Sequence, residues 1–282
     1  MNTKYFILLA AAFIMTAFGA NAQIQMPQAS PPAKVSQLVG LTQISLEYSR
    51  PSVRGRKIFG ELVPYGEVWR TGANAATTFE FSTDVTIEGK PLPAGKYALY
   101  SIPGKSTWTL IFYKNTSLWG AIGYDSKDDV FRVQVPALKS KKSVETFQVE
   151  FGDITDSGST VSLRWEKSGA AFRIETEVDP IVMKQIEEQV INNTPSNPGV
   201  YFQAATYYFN TNKDLQKALE WVTKSVEADP KYWTIHLKAK IEQKLGLNEA
   251  ALKSAQTSMD MARKENNPDY VGLNERLIKS IK

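Results

Sequence analysis

A chain of 282 residues, 43% hydrophobic and 22% charged, has the composition of a globular protein with room for two ordinary domains. Its formal net charge of +4 falls well short of the basic stripe a nucleic-acid binder carries, so nucleic acid is not an expected partner. The chain has no cysteine and one histidine, His236, which excludes disulfides, thiolate metal sites, cysteine nucleophiles and any site needing two histidines from one chain.

Residues 1–22 follow the pattern of a secretory signal peptide. Lys4 charges the start, Tyr5 to Phe18 is almost wholly apolar, and Ala20-Asn21-Ala22 offers a small-x-small cut before Gln23. The apolar run is short for a membrane span, and no cysteine follows it to carry a lipid. The expected mature protein is soluble, periplasmic or secreted, with no membrane span. Residues 23–32 (QIQMPQASPP) read as a flexible linker.

From residue 33 to residue 179 the hydrophobic period is two. Ile44, Leu46 and Tyr48 alternate with polar residues. The pattern returns at 77–81, 85–87, 97–102, 108–113, 131–135, 146–151, 161–165 and 172–178. Turn signals separate these runs: Glu88-Gly89-Lys90, Pro103-Gly104, Gly152-Asp153, Ser157-Gly158 and Ser168-Gly169. Many short strands without intervening helices predict an antiparallel sandwich or barrel, and the β-sandwich is the architecture expected.

At Asp179-Pro180 the period changes, with Asp179 placed to cap a helix and Pro180 at its first position. Residues 180–282 read as a helical domain. An approximate repeat of about 33–34 residues aligns Asp214–Leu219 with Leu247–Leu252, and this resembles the tetratricopeptide repeat. A final helix over 270–281 caps the stack. Trp221, Trp233 and Tyr208 are expected in its core, and His236 on a partly exposed helix face. Stacked repeats present concave surfaces, so a protein partner is the expected ligand of this half.

The stretch Arg50–Asn74, RPSVRGRKIFGELVPYGEVWRTGAN, keeps neither period for long. Arg50, Arg54, Arg56 and Lys57 suit an anion such as a carboxylate, phosphate or sulfated sugar, because guanidinium forks match planar anions. Tyr65, Trp69, Arg70 and Asn74 add stacking faces, charge and an amide. Trp119 and Tyr124, in the aromatic, glycine-rich run 119–125, supply a second wall. These ten residues form the predicted ligand surface, for a glycan or a small anion. The competing structural reading has Glu61 and Glu67 neutralise the arginines and Trp69 plug one end of the sandwich. No glycine-rich phosphate motif opens a helix, and no cofactor is implied. Asp125, Asp128 and Asp129 lack the order of a calcium loop.

The motifs RPSVRGRKIFGELVPYGEVWRTGANAATTFEF, LPAGKYALYSIPGKSTWTLIFY and WGAIGYDSKDDVFRV resemble the bacterial family called domain of unknown function 2911, over about residues 33–151. The resemblance implies an exported β-domain, in some members followed by helical repeats, and carries no catalytic residue. The functional expectation is therefore a non-catalytic binding or scaffolding protein of the cell envelope. The alternative is an envelope glycan hydrolase drawing a carboxylate pair from Glu61, Glu67 and Asp125.

Overall fold

The computed structural model describes residues 26–281, so the signal-peptide reading of residues 1–22 lies outside the described part. The chain divides into two compact units between Glu177 and Val178.

The first unit contains β1 (Pro32–Val39), β2 (Thr42–Ser49), β3 (Thr77–Phe81), β4 (Val85–Ile87), β5 (Lys90–Leu92), β6 (Gly95–Ile102), β7 (Thr107–Tyr113), β8 (Asp129–Thr155) and β9 (Gly158–Thr176). All pair antiparallel, in the order β1-β2-β3-β6-β7-β8-β9-β4-β5. The alternation in the sequence has the consequence it should. In β2, Ile44, Leu46 and Tyr48 are buried while Gln43 and Glu47 face solvent. Strand β1 was not among the expected runs. Residues before it are also tied down: the Ala29, Ser30 and Pro31 carbonyls accept hydrogen bonds from Arg54, Asn74 and Arg50.

Strands β8 and β9 are longer than the expected runs because two apparent breaks are bends. Their register passes from Lys139↔Ser168 to Val144↔Glu166, so β8 bulges over residues 140–143. Opposite it, Glu166 adopts φ +53°. A Cβ on Gly169 would collide with the Leu163 carbonyl oxygen, so only glycine fits this corner. Ser168-Gly169, expected as a turn between strands, is thus a corner within one strand. The bends let Phe147, Val149, Val161, Leu163 and Trp165 join Leu46, Phe79, Leu110 and Phe112 in one core.

One end of that core is closed by the stretch 50–74. Residues 51–53 run along β8, with the Ser52↔Thr146 bridge and bonds from Val53 N to Glu145 O and from Phe147 N to Pro51 O. Phe59 and Trp69 then turn inward. The Trp69 ring stacks on Trp165 at 5.9 Å and 19°. It meets Trp108, Phe147 and Phe59 edge-on at 6.2, 5.4 and 6.0 Å. Its indole N–H donates to the Gly72 carbonyl at 3.0 Å, so the buried ring leaves no polar atom unpaired.

The second unit holds α1 (Asp179–Ile186), a π-helical turn (Glu187–Ile191), α2 (Pro198–Asn210), α3 (Leu215–Ala228), α4 (Tyr232–Lys244), α5 (Asn248–Lys264) and α6 (Pro268–Ile281). Helices α2 and α3 pack through Tyr208 and Trp221, whose rings lie 4.7 Å apart, with small Ala204, Ala205 and Ala218 at the contact. Asp214 caps α3, accepting from Gln216 N and Lys217 N. Asp179 does not cap α1. It is the first helical residue, and its carboxylate accepts from the Tyr207 hydroxyl at 2.6 Å and pairs with Lys213 at 2.9 Å. Those partners hold the Asp179 carboxyl below its usual range, and burial together with the same contact pushes the Tyr207 phenol up.

Trp69→Ala is expected to destabilise the β-unit by about 3–5 kcal/mol, as truncation of a buried tryptophan does. Urea unfolding followed by near-ultraviolet circular dichroism checks this. Replacing exposed Glu67, which makes no side-chain hydrogen bond or ion pair among the described residues, by alanine should change the same transition by roughly 0.5 kcal/mol or less.

Candidate functional site: a lysine-lined cleft and its neighbours

Four chain segments meet at the end of the sandwich closed by Phe59. Gly66 N donates to Pro103 O at 2.9 Å, tying the 57–66 loop to the β6–β7 turn. Ala137 N donates to Ser106 O at 2.9 Å, tying that turn to β8. The pair Lys139↔Ser168 joins β8 to the corner of β9. Ile58 N donates to Glu166 Oε2 at 3.3 Å, which returns the ring to the loop. Together they frame a cleft of about 410 Å³ lined by Lys57, Phe59, Tyr65, Lys105, Lys139, Glu166, Lys167 and Ser168.

The charge in this cleft is one-sided. Lys57 pairs with Glu61 at 3.0 Å, a contact that raises its pKa, and both side chains are largely exposed. No ion pair within 4 Å engages Lys105, Lys139 or Lys167 among the described residues. Glu166 is the one acid lining the cleft, and one of its oxygens is committed to Ile58 N–H. Ammonium groups are compact point charges that hold phosphate, sulfate or carboxylate without demanding one geometry. The cleft contains no histidine and no carboxylate pair.

The ten predicted ligand residues do not form one surface. Lys57 and Tyr65 line the cleft. The three guanidinium groups expected to clamp an anion donate to carbonyls instead: Arg50 to Phe147 at 3.1 Å, Arg54 to Ala29 at 3.2 Å, and Arg56 to Val53 and Ser52 at 3.0 and 2.7 Å. Trp69 is core. Asn74 spends its amide on Ser30 O and Ser49 Oγ, while its carbonyl accepts from Gly120 N.

Arg70, Trp119 and Tyr124 lie on a different part of the sheet, where Arg70 reaches the 118–124 run at Gly120. The run 118–124 packs on Tyr100 and Tyr113 through Leu118 and Tyr124, and Ala75 bridges Trp119. Trp119 is 67% exposed. Arg70 makes no side-chain hydrogen bond or ion pair with the described residues, and its Nε is sealed from solvent. A Cβ on Gly120 would lie 3.0 Å from Arg70 Nη1, so glycine there admits the guanidinium. The loop carrying Arg70 holds Thr71 and Asn74 at φ +56° and +58°. For a β-branched threonine that conformation is strained.

None of the three acids of the hydrolase alternative lines the lysine cleft. Glu61 pairs with Lys57. Asp125 caps the short 3-10 turn Ser126–Asp128 and pairs with Lys127 at 3.6 Å.

Residues 30–174, just over half of the chain, match the model of a family described as protein of unknown function, DUF2911. The chain belongs to the DUF2911 family. No curated protein and no solved structure matches it. The match ends two residues before the end of β9, so the DUF2911 segment is the sandwich and the helical unit lies outside it. Lys105, Lys139 and Lys167, which sequence reasoning missed, all fall inside the DUF2911 segment. Each stands within or beside a short polar run, Gly104-Lys105-Ser106, Lys139-Ser140-Lys141-Lys142 and Glu166-Lys167-Ser168. That shared placement is the one signal that could have pointed to them.

Tyr124 supplies a pH test of the second loop. Its hydroxyl donates to Asp129 Oδ1 at 2.7 Å and accepts from Arg132 at 3.0 Å. Burial and the Asp129 contact push its pKa up to about 12. A raised phenol stabilises the fold below its ordinary pKa near 10, and that contribution is lost as pH rises through about 12. Ultraviolet titration at tyrosinate wavelengths should show late-ionising tyrosines, Tyr207 among them, and Tyr124→Phe should lower their number by one.

Proposed function

We propose that this DUF2911 protein is an exported, non-catalytic binding protein of the bacterial envelope, whose β-domain holds an anionic ligand. The observation that carries the reading is the lysine cleft. Lys57, Lys105, Lys139 and Lys167 face one volume that holds a single, already engaged carboxylate. Like charges gathered on one cleft repel each other, and an anion relieves that repulsion. Phe59 and Tyr65 give the wall apolar area for the body of such a ligand.

The helical unit supports a role in protein contact. A groove of about 690 Å³ runs between α2, α4 and α6, lined by Phe209, Leu273 and Leu277 with Lys240, Lys244 and Arg276. The ammonium groups of Lys240 and Lys244 sit 4.7 and 5.0 Å from the Phe209 ring centre. His236 lines the same groove, and its Nδ1 lies 2.7 Å from Asn274 Oδ1. Burial lowers its pKa, which favours the neutral ring. Export rests on the amino-terminal pattern, and mass spectrometry of envelope fractions should find the mature chain starting at Gln23.

Titration calorimetry with inorganic tripolyphosphate tests the cleft. Affinity should fall steeply as salt rises, since the lysines are solvent-exposed and screened. Lys105→Glu, Lys139→Glu and Lys167→Glu should each weaken binding by roughly 1 kcal/mol, and the triple variant should abolish it. Lys184→Glu, on the helical unit, should leave it unchanged. Tripolyphosphate affinity indifferent to the triple variant would remove the cleft from the account.

A further inference from the structure

The lysine end of the sandwich carries two features that a small soluble anion does not require. First, the basic surface extends beyond the cleft. The β8 bulge over residues 140–143 stands opposite Lys167 and adds exposed Lys141 and Lys142. Second, the 57–66 loop exposes apolar side chains beside those charges. Leu62 is 47% exposed and Tyr65 39% exposed, and the loop is held to Pro103 and Glu166 at its two ends.

We infer that this end docks on the surface of an anionic lipid bilayer. The inference rests on the anion-binding reading of the cleft and names its source: phosphate headgroups presented on a membrane. Lysines gather at such a surface because anionic lipids create a negative potential there. A peripheral protein adds apolar side chains that enter the headgroup region. Lys57, Lys105, Lys139, Lys141, Lys142 and Lys167 supply the first part, and Leu62 with Tyr65 the second.

Charge decides between this end and the exposed apolar side chains of the 119–125 run. Trp119 and Ile122 are 67% and 84% exposed. They precede Asp125, Asp128 and Asp129, with Lys127 as the one basic residue of that run. Arg70, Lys127 and Arg132 balance those three acids, so that patch is near neutral, and an anionic surface favours the lysine end with its six lysines.

The test is flotation of the purified protein with vesicles of phosphatidylcholine alone, or containing about 30 mol% phosphatidylglycerol. Tripolyphosphate affinity is measured in parallel. Binding is expected to the anionic vesicles only, and to weaken with salt. Lys141→Glu and Lys142→Glu, outside the cleft, should each cost about fivefold in vesicle binding. Leu62→Asp should lower vesicle binding by at least about fivefold while tripolyphosphate affinity stays within about twofold, because Leu62 does not line the cleft. Near-ultraviolet circular dichroism of each variant shows that the fold is retained. Tripolyphosphate binding without vesicle binding would overturn the membrane inference and leave the cleft standing. Vesicle binding insensitive to Leu62→Asp and to both lysine changes would overturn it equally. Failure of both ligands would remove the cleft reading as well.

Discussion

The burial of Trp69 is the constraint on which the rest of the β-unit depends. A chain segment of twenty-five residues with five basic side chains has little reason to stay on a sheet end. The Trp69 and Phe59 rings give it one. They pack against Trp108, Phe147 and Trp165, which come from β7, β8 and β9. Aromatic pairs of this geometry add to the gain from buried area. Trp69 is also paired through its backbone, exchanging N–H···O bonds with Ser101 at 2.7 and 2.8 Å. The segment is thus held at both the side-chain and main-chain levels, and everything it carries is positioned by that hold.

Two surfaces follow from it. On one side of Phe59 the loop turns back through Tyr65 and delivers Lys57 to the cleft. Beyond Trp69 the chain enters the strained run of Thr71 and Asn74, which sets Arg70 beneath Gly120. Thr71 is fully buried, with its hydroxyl donating to Ser101 Oγ and its carbonyl accepting from Thr77. Those bonds offset the cost of its left-handed backbone. The same core therefore fixes a basic cleft and, at a separate place on the sheet, a guanidinium against Gly120 of the loop that carries the exposed Trp119.

The strands were legible because alternation is a local signal: β3 and β4 begin and end where the period-two pattern does. The bends in β8 and β9 were not legible in the same way. Glycine and polar residues mark a turn and a strand corner alike, and only the register with a partner strand separates them. Trp69 was ambiguous for a related reason. In a basic loop an indole reads equally well as a platform or as a plug, and the deciding partners lie up to ninety-six residues further on, at Trp165. The arginines had a strong charge signal but short reach: Arg50, Arg54 and Arg56 find carbonyls nearby and are absorbed into the scaffold. Lys105, Lys139 and Lys167 share only a polar setting in the sequence, and it takes strand pairing together with the bonds of the β6–β7 turn to gather them.

The aromatic cluster also fixes an order of events. Its members are drawn from residues 59, 69, 108, 147 and 165, so it consists almost wholly of contacts between distant parts of the chain. Such contacts form late, after the entropy of closing long loops has been met. The β8–β9 hairpin is local in sequence, but its inner face has nothing to bury against until the cluster closes. A ribosome, or any channel the chain is threaded through, must release everything up to Trp165 before the sandwich can shut.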